Sequence, residues 1–245
     1  MSISSPKTQS NRKSRRSCDE DVVGYVRRHH RPSSERPRKS RLSGDGARRV
    51  KHTADRMIAL LSLVVLSPVL LAIAVTVLLS SPGPALFAHE RIGLNGRPFR
   101  MWKFRSMRTG ADEELATFLR EHGRENEPLF KIPEDPRITS VGRVLRRWSL
   151  DELPQLWNVV LGHMSLVGPR PQVLAEVLLC DEQERRRLTV KPGLTGLWQV
   201  SGRSQVPWKE AVRMDLRYVE RWSLLLDIRI LARTLKAVIS GRGAV

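Results

Sequence analysis

Apolar positions along the chain are concentrated in one unbroken block and then thin into short periodic runs. Residues 57–79, MIALLSLVVLSPVLLAIAVTVLL, contain no charged side chain. As a helix this block would extend about 34 Å at ~1.5 Å per residue, enough for a hydrocarbon core of roughly 30 Å. Ser67-Pro68 falls near its middle. Pro68 has no N–H for the carbonyl of Val64 and its ring crowds that carbonyl, so the pattern predicts a kink, with the Ser67 hydroxyl as a partner for the freed group. Arg48, Arg49, Lys51 and Arg56 precede the block, and Arg91, Arg97, Arg100, Lys103 and Arg105 follow it. Basic flanks resist translocation, so charge at both ends predicts a re-entrant helix whose two ends stay cytoplasmic. An ordinary spanning helix with a tolerated proline satisfies hydropathy equally well. A cleaved signal peptide is disfavoured, because about fifty polar residues come first.

Beyond the block the pattern shortens. SSPGP at 80–84 ends the apolar helix, since the residue before a proline avoids helical conformations. Residues 85–90 and 98–104 read as strands of a hairpin around GLNG at 93–96. Residues 111–122 and 141–149 read as helices separated by a loop, and the acids Asp112, Glu113 and Glu114 suit the first turn of the former. Residues 208–239 hold two more helical patterns. In the second, Leu224, Ile228, Leu231, Leu235 and Ile239 recur at helical spacing among Arg229, Arg233 and Lys236. With Trp208, Tyr218 and Trp222 nearby, these read as amphipathic helices lying at a membrane interface, although a soluble core would show the same stripe.

The expected fold class is therefore an α+β monotopic membrane protein. It has a re-entrant kinked membrane helix over 51–82 and a small mixed catalytic head with short strands and interfacial amphipathic helices over 83–245. A basic arm over 1–50 precedes both. Residues 1–51 carry 15 Lys or Arg against 5 Asp or Glu, a net +10 within the chain's formal +18. With little to build a core, they read as a disordered arm suited to an anionic lipid membrane. A nucleic-acid tail would have the same charge, but no recognition-helix pattern, zinc spacing or aromatic platform accompanies it, so no nucleic acid is expected as partner. Cys18 and Cys180 imply neither a disulfide framework nor a zinc site. The six histidines are scattered and read as solvent or packing residues.

Candidate chemistry gathers in two motifs. In SLDELPQLWN, 149–158, Ser149 and Glu152 have capping-box spacing, which would set Asp151 in the positive first turn of a helix beside Arg146 and Arg147. A carboxylate held there should stay ionised, as a nucleophile or metal ligand must. Pro154 complicates that helix, and simple capping by Asp151 and Glu152 is the blander account. In MSLVGPRP, 164–171, Arg170 stands between Pro169 and Pro171, a stiff mounting for a guanidinium that grips phosphate. The alternative is a surface turn in which Arg170 pairs with Glu176 or Asp151. The glycines of KPGLTGLWQVSGR, 191–203, permit close backbone approach to a ligand or serve turns. Asp215 is a candidate for a site-facing role. An exposed carboxylate pair among arginines beside lipid suits a phosphate-containing substrate, with Mg²⁺ favoured over zinc by the oxygen donors.

From about Lys51 to Val245 the chain resembles the bacterial sugar transferases, the monotopic polyprenyl-phosphate phosphoglycosyl transferases. The likeness rests on Lys51 with Asp55, SP at 67–68, SPGP at 81–84, RIGLNGRPFRMWKFRSM at 91–107, DPRITSVGRVLRRWSLDELPQLWNV at 135–159, MSLVGPRP at 164–171, KPGLTGLWQVSGR at 191–203 and LDIRILARTLKAVISGRGA near the end. It resembles the short form with a basic N-terminal extension, and departs at His52, where the family usually has Arg. The resemblance implies a UDP-sugar donor, an undecaprenyl phosphate acceptor, and a site at the cytoplasmic face of the bacterial cytoplasmic membrane. Asp151 would attack the β-phosphorus, expel UMP and form a phosphosugar-aspartyl intermediate that the polyprenyl phosphate then resolves. Glu152 would assist through Mg²⁺ or proton handling, with Asp151 and Glu152 as metal ligands. Arg170 and Pro171 would grip phosphate, and Lys103, Arg105, Arg137 and Arg146 would be supporting cations. Asp55 would support the helix start and its contact with the head. The product would initiate exopolysaccharide, capsule or O-antigen type glycans, and downstream glycosyltransferases are possible partners. A non-enzymatic membrane scaffold and a basic nucleic-acid-binding protein are the alternatives.

Overall fold

The computed structural model describes residues 45–111, 114, 117, 135–202 and 206–240. The arm up to residue 44 and most of the segment 112–134 lie outside the described residues; of the helix expected over 111–122, residues 111, 114 and 117 are described and are helical.

Helix α1, Asp45–Ser80, is the apolar block extended backwards, so the last residues assigned to the arm are helical. It is helical along its whole length, Pro68 included. The carbonyl freed by the proline is met as expected: Ser67 Oγ donates to Val64 O at 2.7 Å. One stripe of α1 faces the head. Lys51, Asp55, Ala59 and Val77 are buried, and Leu63, Leu66, Leu70 and Ile73 pack partly buried between them. The opposite face, with Leu61, Val64, Val65, Leu71 and Leu79, is exposed apolar surface. Among the described residues, this is one helix long and apolar enough to cross a membrane.

Both ends of α1 are tied to the head. Near its start, Lys51 Nζ lies 3.2 Å from Asp55 Oδ2 and 2.7 Å from Asp227 Oδ2, and Ser165 Oγ donates to Asp55. Tyr218 OH and Trp222 Nε1 also reach Asp227, at 2.8 and 3.1 Å. At the far end the Arg105 guanidinium donates to Ser81 O at 2.6 Å, Pro82 O at 2.9 Å and Val77 O at 3.3 Å, supplying carbonyls that a helix C-terminus leaves unpaired.

The expected hairpin is present. Strands β1, Leu86–Ile92, and β2, Pro98–Phe104, pair antiparallel from Leu86 opposite Phe104 to Ile92 opposite Pro98. Between them a 3₁₀ turn, Leu94–Gly96, places Asn95 at φ 55°, a conformation asparagine tolerates better than most residues. Helix α2, Ser140–Arg147, starts at Thr139, whose hydroxyl accepts from Gly142 N at 2.9 Å. Gly142 lies against the Ser106 backbone so closely that any Cβ there would overlap it.

After α2 the chain departs from the expected capping box. Ser149 adopts φ 54°, ψ 24° and makes no cap through its side chain. It opens a 3₁₀ turn, Leu150–Glu152, and helix α3, Gln155–Leu161, begins only after Pro154. A proline at a helix start loses nothing, because that N–H has no intrahelical partner. Pro154 thus divides what the capping pattern reads as one helix.

Strands β3, Ser165–Val167, and β4, Gly193–Thr195, pair parallel. Gly168 and Gly193 approach until no Cβ fits at either, and Gly193 N donates to Pro169 O at 2.8 Å. The glycines therefore serve backbone contact within the protein, which fixes the Pro169-Arg170-Pro171 loop. Short helices α4, Leu174–Leu178, and α5, Glu182–Arg185, lead into a 3₁₀ turn, Arg186–Thr189. Helices α6, Trp208–Arg221, and α7, Leu224–Ser240, close the fold. The main core joins Ala59 of α1 to Phe99, Met101, Leu156, Val159, Met164, Tyr218 and Ile230, and a second cluster joins Val77 to Phe104 and Leu145. Leu224, Leu225, Ile228 and Leu235 of α7 remain exposed.

Candidate active site

A cavity of about 840 Å³ lies between the hairpin, the 3₁₀ turn after α2, the Arg170 loop, the segment after β4 and α7. Asp151, Glu152, Lys103, Arg105, Arg146, Arg170 and Pro171 all line it. Residues separated by as many as 68 positions in sequence therefore share one wall, because β2 and α2 meet through Ser106: Arg146 Nε donates to Ser106 Oγ at 2.9 Å.

Asp151 is buried, only 7% exposed, which corrects the expectation of an exposed carboxylate pair. Burial raises its pKa, and the neighbouring Glu152 adds to the rise, while Lys103 and Arg146 pull it back down. The expectation that a helix start keeps this group ionised also needs correction. The 3₁₀ turn offers little of a helix dipole, and the cations that favour the charged form come from β2 and α2. Glu152 is more open and pairs with Lys103 Nζ at 2.6 Å. Ser149, in its left-handed conformation, turns the chain so that Asp151 and Glu152 both line the cavity.

Arg170 joins both readings of its motif. Its guanidinium lies in the cavity wall 5.7 Å from the Trp198 ring centre, and its Nη1 donates to Glu176 Oε1 at 3.2 Å. Its backbone N–H reaches Asp215 Oδ2 at 3.3 Å. Asp215 is completely enclosed behind this loop, with Arg187 Nη1 at 3.4 Å from the same oxygen. Burial pushes its carboxyl up to about 7, against the pull of Arg187 and Arg170. It supports the site from behind and does not line the cavity, contrary to the site-facing role expected of it.

Two expected supporting cations have other partners. The Arg105 guanidinium, though part of the wall, is engaged by the end of α1. Arg137 does not line the cavity. It is buried and binds Asp135 through Nε at 2.8 Å and Nη2 at 2.5 Å, and Ala111 O through Nη1 at 2.6 Å. A guanidinium taken out of water must satisfy its donors nearby, and the preceding Asp135-Pro136 turn presents a carboxylate to it. Arg137 in turn holds the Asp135 carboxyl below its ordinary range.

His89, read as a packing residue, lines the cavity. Burial, then the fields of Arg91, Lys103 and Arg170, lower its pKa to about 4, so it is a neutral imidazole amid cations. The legible signal was strand alternation: Phe87, His89 and Arg91 are successive same-face residues of β1, and all three line the cavity.

Asp151 and Glu152 are two adjacent carboxylates in one cavity wall, and no cluster of three or more His, Cys, Asp or Glu able to hold a metal occurs among the described residues. Two carboxylates completed by phosphate oxygens of a substrate form a donor set that suits Mg²⁺.

Comparison with known proteins places the chain in a family. The family described as bacterial sugar transferase matches residues 46–241. The chain is 47% identical over 163 residues to the galactosyl transferase CpsE of Streptococcus agalactiae, covering 66% of this chain and 36% of that protein. It is 44% identical over 197 residues to the exopolysaccharide production protein ExoY of Sinorhizobium fredii, covering 79% of this chain and 87% of the relative. It is 43% identical over 212 residues to the undecaprenyl-phosphate galactose phosphotransferase of Salmonella typhimurium, covering 83% of this chain and 43% of the relative. The chain thus spans less than half the length of two of these relatives and most of the third. With the match extending from the start of α1 to the end of α7, the chain belongs to the bacterial sugar transferase family.

Proposed function

We propose that the protein transfers a sugar 1-phosphate from a UDP-sugar to undecaprenyl phosphate, releasing UMP, in the first step of exopolysaccharide, capsule or O-antigen type glycan assembly. The observation that carries this reading is the buried Asp151 in a cavity walled by Lys103, Arg146 and Arg170. The Salmonella relative, named an undecaprenyl-phosphate galactose phosphotransferase, supports the acceptor class and the transfer of a phosphosugar.

In this reading a carboxylate oxygen of Asp151 attacks the β-phosphorus of the donor. An O–P bond forms to Asp151 as the bond from that phosphorus to the bridging oxygen breaks, and the electron pair leaves with UMP. A phosphate oxygen of the lipid acceptor then attacks the same phosphorus and returns the Asp151 carboxylate. Lys103, Arg146 and Arg170 balance the charge of the transferring group, where fixed dipoles and cations are most effective. Glu152 takes a proton from the acceptor phosphate when that group arrives singly protonated. Asp151 and Glu152 would hold Mg²⁺, which supplies neutralisation of the diphosphate charge.

Both ends of α1 bind the same head, through Lys51–Asp227 at one end and Arg105 at the other. A helix crossing the bilayer would separate those ends by the hydrocarbon core, so we place α1 in one leaflet in the re-entrant sense. The head then lies on the cytoplasmic face, with α7 in the interface and the basic arm against anionic lipid.

The decisive experiment uses Asp151→Asn in detergent with Mg²⁺, radiolabelled UDP-sugars and undecaprenyl phosphate. The variant should fold and bind membranes yet lose UMP release and the acid-precipitable phosphosugar adduct. Near-normal transfer by Asp151→Asn would remove Asp151 as the nucleophile.

A further inference from the structure

The cavity that holds Asp151 is lined by apolar side chains as well as by cations. The apolar part of the lining includes half-buried Leu194, Val200, Leu231, Thr234, Ala237 and Val238, from β4, the segment after it and α7. We propose that this apolar compartment seats the first isoprene units of the lipid acceptor, and that α7 thereby sets the acceptor's chain preference. The inference rests on the proposed transfer reaction and assigns a place within it.

Three observations favour a hydrocarbon occupant. First, the compartment is continuous with the phosphate-gripping wall, as the attachment of a prenyl chain to its phosphate demands. Second, its hydroxyls are engaged within the protein: Thr195 Oγ1 and Thr234 Oγ1 lie 2.8 Å apart, and Thr234 Oγ1 donates to Ile230 O at 2.8 Å. A polar occupant would find few hydrogen bonds there to replace those it leaves in water. Third, α7 turns Leu224, Leu225, Ile228 and Leu235 outward, with Leu235 68% exposed, and carries exposed Arg229, Arg233 and Lys236. An apolar helix face rimmed by long cationic side chains suits the boundary between headgroups and acyl chains. The remainder of the chain can therefore leave the compartment into lipid without crossing water.

The rival occupant is the nucleobase of the donor. Gln199, in the same wall, keeps a buried Oε1 without a partner, and a base N–H would satisfy it.

The test uses the full chain in detergent with prenyl phosphates of increasing length, from a single isoprene unit upwards. Binding is measured by calorimetry, and UMP release is followed separately with UDP-sugar alone and with acceptor. In the wild type, affinity should rise by about tenfold or more over the first few isoprene units, as burial of successive apolar groups predicts, and then level off. Ala237→Trp, which fills the compartment, should flatten that rise. It should leave KM for the UDP-sugar and lipid-independent UMP release within about twofold, a difference of about 0.4 kcal/mol or less. Leu231→Ala, which enlarges the compartment, should weaken the same rise without abolishing it and controls for misfolding of the larger substitution.

Equal wild-type affinity for all chain lengths would overturn the proposal. So would an Ala237→Trp protein that keeps the full chain-length dependence, or one whose defect lies in KM for the UDP-sugar, which assigns the compartment to the nucleobase. Chain-dependent binding that Ala237→Trp abolishes would support the compartment even if no UDP-sugar were turned over, and the transfer reading alone would then fail.

Discussion

Asp215 offers the sharpest test of how the Arg170 loop is supported. Its carboxyl is completely buried and rises from an ordinary 3.8 to about 7, because burial outweighs the attraction of Arg187 and Arg170. A carboxyl that binds its proton more tightly when folded stabilises the fold most at low pH. Between about pH 4 and pH 7 the folded state holds more protons than the unfolded chain, so this group's contribution falls as pH rises and levels off above about 7. Three units correspond to about 4 kcal/mol. For a protein of this size that is roughly 10 °C in Tm. Asp215→Asn removes the titration while keeping the side chain's shape. The assay is thermal unfolding of both proteins in one detergent from pH 4 to pH 8. The Tm of the variant relative to the wild type should climb by roughly that amount up to pH 7 and then hold steady. Parallel curves across the range would refute the claim that a buried, proton-binding Asp215 underlies the loop. A Tm of the variant relative to the wild type that falls as pH rises would mean that the sign of the shift is wrong.

Other consequences are simpler to measure. Ser149 holds φ 54°, so Ser149→Gly should keep or raise stability by up to about 1 kcal/mol, whereas Ser149→Val should lose at least that much, both read by chemical unfolding. Arg105→Ala removes the guanidinium donors to the carbonyls of Val77, Ser81 and Pro82, of which Val77 O keeps Ser80 Oγ and Pro82 O keeps Thr109 Oγ1, and should destabilise the protein by about 1–3 kcal/mol, with proteolysis near residue 80 as a local readout. Because burial raises Asp151, transfer should increase with pH as that carboxyl ionises, and an activity that falls over the acid limb instead would contradict its role as nucleophile. Chelation with EDTA should stop transfer and Mg²⁺ restore it, while full activity in EDTA would withdraw the metal from Asp151 and Glu152.

Much of the fold was legible before the structure. The β1–β2 hairpin around GLNG, α2, and the division of 208–239 into α6 and α7 follow from local signals: alternation, a turn sequence and helical periodicity. These depend on neighbours in the chain, which a sequence displays directly. Even the partner of the carbonyl freed by Pro68 could be named, because Ser67 and Val64 are neighbours on the helix. Where two local signals conflicted, at Ser149 and Pro154, the sequence supported a capping box and the structure chose a 3₁₀ turn followed by a second helix start.

The sequence by itself determined the apolar helix, the hairpin, the Asp151-Glu152 pair, the stiffened Arg170 and, through several motifs in order, the family. Tertiary structure alone decided which cations serve the site. Arg105, Arg137 and Arg146 look alike in the chain, yet one engages the end of α1, one closes on Asp135, and one lines the wall beside Asp151. It also buried Asp151, sent Asp215 behind the loop, and turned His89 into the cavity as a neutral group. The physical reason is common to all of these. The partner and ionisation of a charged side chain depend on its solvation and on groups brought near it by packing, and neither is written in the order of residues along the chain.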